Sequence, residues 1–303
     1  VASGPSPEVR ARAIALPPSP ARRKRRAIVV GVALLALALA LFGIHRLRMD
    51  AAYREALRLE EVGEREGAYR AYSRLDGYAD SAERLRGMTE ADPALPYRSA
   101  KKGDLIEFGS FEQDGDAANG PEPIRWIVLD RIDGRLLLLS RDSLDAAPYH
   151  RVPFEPVTWE RSDLRRWMNS DFLAAAFNES ELSLVPTVEV PNAPQSATGT
   201  AAGPATKDRV FALSETEASI YISNAVERAA LGSAALSAAV DNDDLPADEE
   251  GRADWWLRSP GTYDFTAQYV DREGVRHGSG AAADATYGVR PALWLDTSAG
   301  GAG

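Results

Sequence analysis

The chain of 303 residues contains no cysteine. That excludes disulfides, zinc ribbons, thiolate nucleophiles and iron–sulfur clusters together. Without crosslinks the fold must draw its stability from a hydrophobic core, which a domain of roughly 200 residues can supply. Histidine is scarce: His45, His150 and His277 are the only three. None stands in an HExxH or HxH spacing, so neither a zinc nor a non-haem iron site is expected. The sequence also lacks a GxSxG elbow, a GxxxxGK phosphate loop and a GxGxxG turn after a strand. These absences remove the usual signs of a serine hydrolase, a nucleoside triphosphatase or a dinucleotide enzyme.

Positive charge is in surplus only at the start. Residues 1–26 carry Arg10, Arg12, Arg22, Arg23, Lys24, Arg25 and Arg26 against Glu8, a surplus of +6. The whole chain has a formal charge of −10, which leaves −16 for everything after residue 26. So acidic a portion is repelled by nucleic acid and anionic lipid, and no nucleic-acid partner is expected. Residues 1–26 are rich in Pro, Ala, Ser and Arg and cannot bury enough surface to fold, so they read as a disordered basic tail.

Residues 27–44, AIVVGVALLALALALFGI, form a run of 18 residues without a charge. As a helix this run spans about 27 Å, close to the roughly 30 Å of a bilayer core. It is apolar all round, unlike the one-sided helix of a soluble core. The RRKRR cluster before it outweighs His45, Arg46 and Arg48 after it. The positive-inside rule therefore puts the N-terminus in the cytoplasm and the rest outside a cell membrane crossed once. The run is longer than the apolar part of a signal peptide and no small-x-small site follows it, so an uncleaved anchor is expected.

Residues 45–92 are expected to be helical. Good helix formers dominate from 48 to 88, no proline interrupts them, and apolar residues recur at Ala52, Ala56, Leu59 and Val62, then at Ala68, Tyr72 and Leu75. That is amphipathic spacing. Gly63 predicts a turn between two helices, Gly77 the end of the second, and Asp80 to Met88 a third short helix. The string LRLEEVGEREGAYRAYSRLDGYADSAERL resembles a tetratricopeptide-type hairpin: Gly63, Ala68, Tyr72, Leu75, Tyr78, Asp80 and Ser81 match, while Arg65 stands where an aromatic is usual. One such repeat cannot build a solenoid core. A spacer is expected.

Pro93 and Pro96 mark the next boundary. Residues 93–298 then read as one α+β domain of short, mostly antiparallel strands with two or three helices, followed by a disordered tail, 299–303. IRWIVLDRIDGRLLLLS is two strands joined at Asp133-Gly134, a strong hairpin signal. Helical spacing follows at Leu164, Trp167, Met168, Phe172, Leu173 and Phe177, with Ser162 or Asp163 and Asn178 or Ser180 as caps. Residues 191–204 form a polar loop, and 208–240 a strand followed by a helix of about twenty residues. Short strands around WWLRSP, AQYVD and GVRPALWLD close the chain. Strands, then helices, then strands is an α+β order and not a doubly wound one.

Four segments in this order, GDLIEFGSFEQDGDAANGPEPIRWIVLD, LRRWMNSDFLAAAF, DWWLRSPG and GVRPALWLD, resemble a bacterial domain of unknown function numbered 6273, over roughly residues 97–296. The resemblance implies a surface domain attached to membrane anchors and helical repeats, with no activity to carry over. More distantly, WWLRSPG followed by GVRPALWL resembles the end of C-type lectin-like folds in the branch of the formylglycine-generating enzymes. That likeness implies a C-type lectin-like head. The oxidase chemistry of those enzymes needs cysteines, which are absent here.

Trp255, Trp256, Arg258, Tyr263, Tyr269, Tyr287 and Arg290 cluster late in the sequence. Aromatic faces beside arginine suit sugar rings, peptides or carboxylates, and these seven are the ligand-binding candidates, with the glycine-rich loops of 259–288 forming the site. The alternative role for one tryptophan and both arginines is structural. On a half-buried strand Trp255 and Trp256 face opposite ways, so only one is expected in the core. Oxygen-rich stretches at Asp114, Asp116 and Asn119, and at Asp241, Asn242, Asp243 and Asp244, are calcium candidates; the first lacks the EF-hand spacing and its distal Glu, and solvated turns explain both equally well. No other cofactor is expected. The best reading is a non-catalytic, membrane-anchored, extracytoplasmic binding or sensing protein whose ligand is a glycan, peptide or protein. A structural envelope protein is the alternative, and a hydrolase with a carboxylate pair comes third.

Overall fold

The computed structural model describes residues 20–116, 118–223, 228–231 and 251–298. Most of the basic tail, the calcium candidates Asp241 and Asp243 with their neighbours, and residues 299–303 lie outside the described residues. The chain divides into two compact units, residues 1–82 and 83–303.

The first unit is helical. Helix α1 (Pro20–Glu61) is continuous, so the apolar run and the first hairpin helix are one element. No proline interrupts the stretch after the run, and its Ala, Leu, Glu and Arg propagate the helix. The helix also takes in residues 20–26, which composition assigns to a disordered tail; a proline is well tolerated at a helix start. From Val29 on, α1 is the one helix among the described residues long and apolar enough to cross a membrane, with a window of mean hydropathy 2.1. Its large apolar side chains from Val29 to Ile44 stay exposed.

Gly63, at a φ of +78°, makes the predicted turn. Helix α2 (Arg65–Ser73) then packs on α1, burying Ala56, Ala68, Tyr72 and Leu75. Three phenols bind this hairpin together. Tyr53 stacks edge-on to Tyr72 and Tyr78 at 6.1 and 6.4 Å and donates to Asp80. Tyr72 donates to Glu60 at 2.6 Å, and Tyr78 to Asp50. Gly77 lies beyond α2, in a further left-handed turn. Helix α3 (Ser81–Ala91) straddles the division between the units, where the sequence assigns it to the spacer. Just after it, the buried Asp92 pairs with Arg98 at 2.7 Å, and Arg98 donates to the Thr297 carbonyl, so this segment is tied into the second unit.

The second unit mixes helices with mainly antiparallel sheets. The first sheet has the order β1 (Leu105–Phe111), β2 (Glu122–Ile132), β3 (Arg135–Ser140), β14 (Ala292–Asp296), β7 (Val210–Phe211), antiparallel throughout. In the second the order is β12 (Arg276–Ala282), β11 (Thr266–Val270), β10 (Trp255–Pro260), β13 (Thr286–Val289), β4 (Asp145–Pro148), and only β10 and β13 run parallel. Two ribbons pair β5 (Val188–Val190) with β6 (Thr206–Asp208), and β8 (Ala230–Leu231) with β9 (Arg252–Ala253). Asp133 and Gly134, at φ of +49° and +77°, close the β2–β3 hairpin in the doubly left-handed turn that favours Asp-Gly.

Helix α4 (Asp163–Trp167) is capped by Ser162, and a π-helical turn, Met168–Phe172, carries it into α5 (Leu173–Ala176). Asn178 caps α6 (Glu179–Ser183) with a full capping box. Helix α7 (Glu215–Tyr221) begins with another, Ser214 to Glu217, but ends after seven residues instead of about twenty. Ser-Ile-Tyr-Ile-Ser at its end are poor helix formers, and Ile222 turns out of helical geometry. One continuous hydrophobic core joins both sheets to these helices.

Two central strands are buried on both faces. Leu136 to Leu139 on β3 and Trp255 to Arg258 on β10 are all buried, without alternation. The expectation that only one of Trp255 and Trp256 faces the core therefore fails: they are 0% and 1% exposed, because β10 is covered on both sides. The chain passes from the first sheet to the second between β3 and β4 and returns between β13 and β14. These crossings lie side by side, with Ser140 N–H on the Pro291 carbonyl and Leu144 N–H on the Val289 carbonyl, both at 2.9 Å. Arg290, in the return crossing, donates to the carbonyls of Ser140, Arg141 and Arg228 at 2.7, 3.1 and 3.2 Å and lies 4.9 Å from the Trp255 ring centre. Burial lowers its pKa to about 10, so the guanidinium stays charged at neutral pH.

Lysine offers a point charge in place of a planar fork and leaves buried carbonyls unpaired. Arg290→Lys is expected to cost about 3 kcal/mol in urea unfolding of the full chain in detergent. A loss under about 0.5 kcal/mol, the range of a neutral surface change, would contradict this clamp.

Candidate functional site

The seven candidate residues fall into three environments. Trp255, Trp256, Arg258 and Arg290 are in the core. Their polar groups serve the protein: the Trp255 and Trp256 indoles donate to the carbonyls of Arg228 and Ala147. Arg258 donates to the Ala212 and Pro191 carbonyls and forms a two-pronged pair with Glu217. These four hold sheets and helices together, the structural role the sequence leaves open for the arginines.

Tyr269 and Tyr287 are half-buried members of an aromatic row. Cross-strand register puts Trp256 opposite Tyr269, and Tyr269 opposite His277. His277 stacks on Tyr269 at 4.5 Å and 3°, Tyr269 meets Tyr287 at 4.7 Å, and Tyr287 meets Trp256 at 4.5 Å. The row continues inward through Tyr149 to Trp159 at 5.8 and 6.1 Å. At its outer end His277 Nε2 lies 2.7 Å from Asp271. Burial raises the pKa of both phenols, with the nearby Asp254 adding to it, so they remain hydrogen-bond donors. The row is a stiff sheet face, open at His277 and closed at Trp256.

Tyr263 lies apart from both groups, 61% exposed on the loop between β10 and β11. Its ring stacks on Phe265 at 5.5 Å and 5°, and Phe265 meets Phe154 at 5.5 Å. Phe154 is 74% exposed, with the half-exposed Val152 beside it in sequence. Its φ of +58° puts a bulky residue in the left-handed region, a strain of order 1–3 kcal/mol that persists only when its surroundings impose it. The surroundings are well tied. Val157 N–H donates to the Asp264 carbonyl at 2.8 Å, linking the two loops. The Thr266 hydroxyl donates to the Tyr263 carbonyl at 2.7 Å, and the Thr200 hydroxyl to the Thr262 carbonyl at 2.7 Å. Gln195, buried, organises its own turn and donates to the Gly278 carbonyl at 3.1 Å. Exposed aromatic rings are thus presented on a braced frame, as in a preorganised recognition surface. Sequence reading missed Phe154 and Phe265; only the turn-like composition of RVPFEP hints at the first.

The calcium candidates of the first stretch are engaged with one another. Asp114 accepts from Asp116 N–H at 2.8 Å and from the Asn119 amide at 2.9 Å, and Asp116 accepts from Ala118 N–H. These contacts lower the Asp114 pKa. A different set converges instead: Glu112, Asp114 and Glu122 each bring a carboxylate oxygen within 4.8 Å of the others. Three oxygens suit a hard cation but fall short of the six to eight that calcium takes.

Asp254, half-buried before β10, carries a pKa raised first by burial and further by Asp271 and Glu273, against the pull of Arg272. A carboxyl raised in the folded state contributes stability below the usual aspartate range, and that contribution is lost as pH rises through the raised value. Asp254→Asn should therefore melt higher than the parent at pH 7, with the gap closing towards pH 3. A variant that melts lower at pH 7 would refute this.

Comparison with known proteins gives a family and no function. The family described as domain of unknown function (DUF6273) matches residues 133–297. The match begins at the β2–β3 turn, so the earlier part of the resemblance, from about residue 97, lies outside it. No curated protein matches, and no solved structure does. The matched stretch is more than half of the chain and spans every strand from β3 to β14, so this protein belongs to the family of domains of unknown function DUF6273.

Proposed function

We propose that this chain is a membrane-anchored recognition protein whose second unit binds an extracytoplasmic glycan, peptide or protein without catalysis. The observation that carries the reading is the braced aromatic group Phe154, Tyr263 and Phe265. Exposed rings held in a strained, hydrogen-bonded frame lower the ordering cost of binding, and large amphipathic faces are what such ligands need. The anchor is supported by the uncovered apolar stretch of α1 and by the RRKRR cluster at its start, which favours a cytoplasmic N-terminus. A C-type lectin-like reading of the head is supported by its WWLRSPG and GVRPALWL segments, and a tetratricopeptide-like reading of the hairpin by its Gly63 turn and buried Ala68 and Tyr72.

The full chain in nanodiscs, tested against glycans, cell-wall fragments and peptides with and without calcium, is expected to show a saturable ligand. Phe154→Gly should weaken that ligand at least tenfold while leaving the melting temperature equal or higher, since glycine tolerates the positive φ. No ligand in any class, or one indifferent to both Phe154→Gly and Tyr263→Ala, would remove the proposal. The lack of cysteine makes orientation simple to measure. In intact cells a membrane-impermeant maleimide should label Ser298→Cys and not Ser6→Cys. The reverse pattern would overturn the topology, and a mature protein beginning beyond residue 44 would identify a cleaved signal.

A further inference from the structure

A pocket of about 150 Å³ lies between the edge strand β4 and helix α4. Asp145 and Ala147 line it from the strand, Arg151 from the loop beyond, and Asp163, Leu164 and Trp167 from the helix. Its three charged groups are not equivalent. Asp163 is engaged: it accepts from Arg151 N–H and from the Arg166 guanidinium, both at 2.9 Å, and lies 2.9 Å from His150 Nδ1. Asp145 accepts only from the N–H of its neighbour Ala146, at 2.7 Å, and pairs with no cation among the described residues. The Arg151 guanidinium is exposed and has no ion pair or hydrogen bond among the described residues, though its charge acts on Asp163 across the pocket. Two opposite charges thus face one small pocket and are not paired with each other.

The Asp145 carboxyl is partly buried, and burial raises its pKa. A partly buried acid without a counter-ion is costly to keep charged, and a cation in the pocket would relieve that cost. A simple amine would meet Asp145 alone, and a simple carboxylate would meet Arg151 with two acids nearby. Leu164 and the partly buried Trp167 supply apolar surface. We propose that this pocket binds a small zwitterion of the α-amino acid class, its ammonium against Asp145, its carboxylate against Arg151, and its side chain against Leu164 and Trp167. The volume suits the smaller members. The site rests on residues other than the exposed aromatic group and is independent of the function proposed above.

Calorimetric titration of the full chain in detergent tests it with L-alanine, methylamine, acetate and L-tryptophan. Saturable binding of alanine is expected, with each of the other three at least tenfold weaker. Asp145→Asn and Arg151→Gln should each weaken alanine at least tenfold. Asp145→Asn removes a partly buried charge and keeps the shape, so its melting temperature at pH 7 should not fall, which separates loss of binding from loss of fold. The proposal is overturned if alanine gives no binding or binds both variants as well as the parent. It is equally overturned if methylamine, acetate or tryptophan matches alanine.

Discussion

The head depends on one buried cation. Arg290 sits where the chain returns from the second sheet to the first, and its guanidinium gathers carbonyls from the outgoing crossing and from Arg228. Backbone that leaves one sheet for another has no ladder partner, and unpaired carbonyls in a core are expensive. A planar guanidinium meets several of them at once, at a desolvation cost that lowers its pKa without removing its charge. Arg258 does the same work on the opposite flank, joining β10 to the segment after β7, to Glu217 at the start of α7 and to the end of β5. Two arginines thus weld the two sheets in a chain with no disulfide.

That rigidity reaches the surface. Arg258 and the Trp256 indole anchor β10, and the loop that follows it presents Tyr263 and Phe265. The polar loop of residues 191–204 is bound to the same region through Gln195 and Thr200. Loops so fixed can hold Phe154 in a left-handed conformation that a free loop would relax. The strain and the exposure of its ring are both unfavourable alone, and together they are the ground on which the recognition surface is proposed.

The matched family stretch begins at Asp133, yet the first sheet does not. Strands β1 and β2 both precede that point, and β2 pairs along the length of β3. The structural unit is therefore larger than the matched one. It also draws in the segment after α3 through Asp92 and Arg98.

Much was legible in the residues themselves. The apolar run of α1, the turn at Gly63, the Asp133-Gly134 hairpin, the caps Ser162 and Asn178 and the mixed α and β character follow from local chemistry: propensity, periodicity and the few residues that accept positive φ. Local signals do not say how many faces of a strand are covered. Trp255 and Trp256 alternate correctly, but only the packing of both faces of β10 buries the pair. Nor do they say which arginines end inside, because a buried guanidinium is decided by which carbonyls the topology leaves unpaired. The aromatic group of Phe154, Tyr263 and the half-buried Phe265, and the pocket that sets Asp145 beside Trp167, join residues about 110 and 22 positions apart in sequence. The first pairing arises because long-range hydrogen bonds bring two loops together. The second arises because α4 folds back on an edge strand; neither is encoded in any local run of residues.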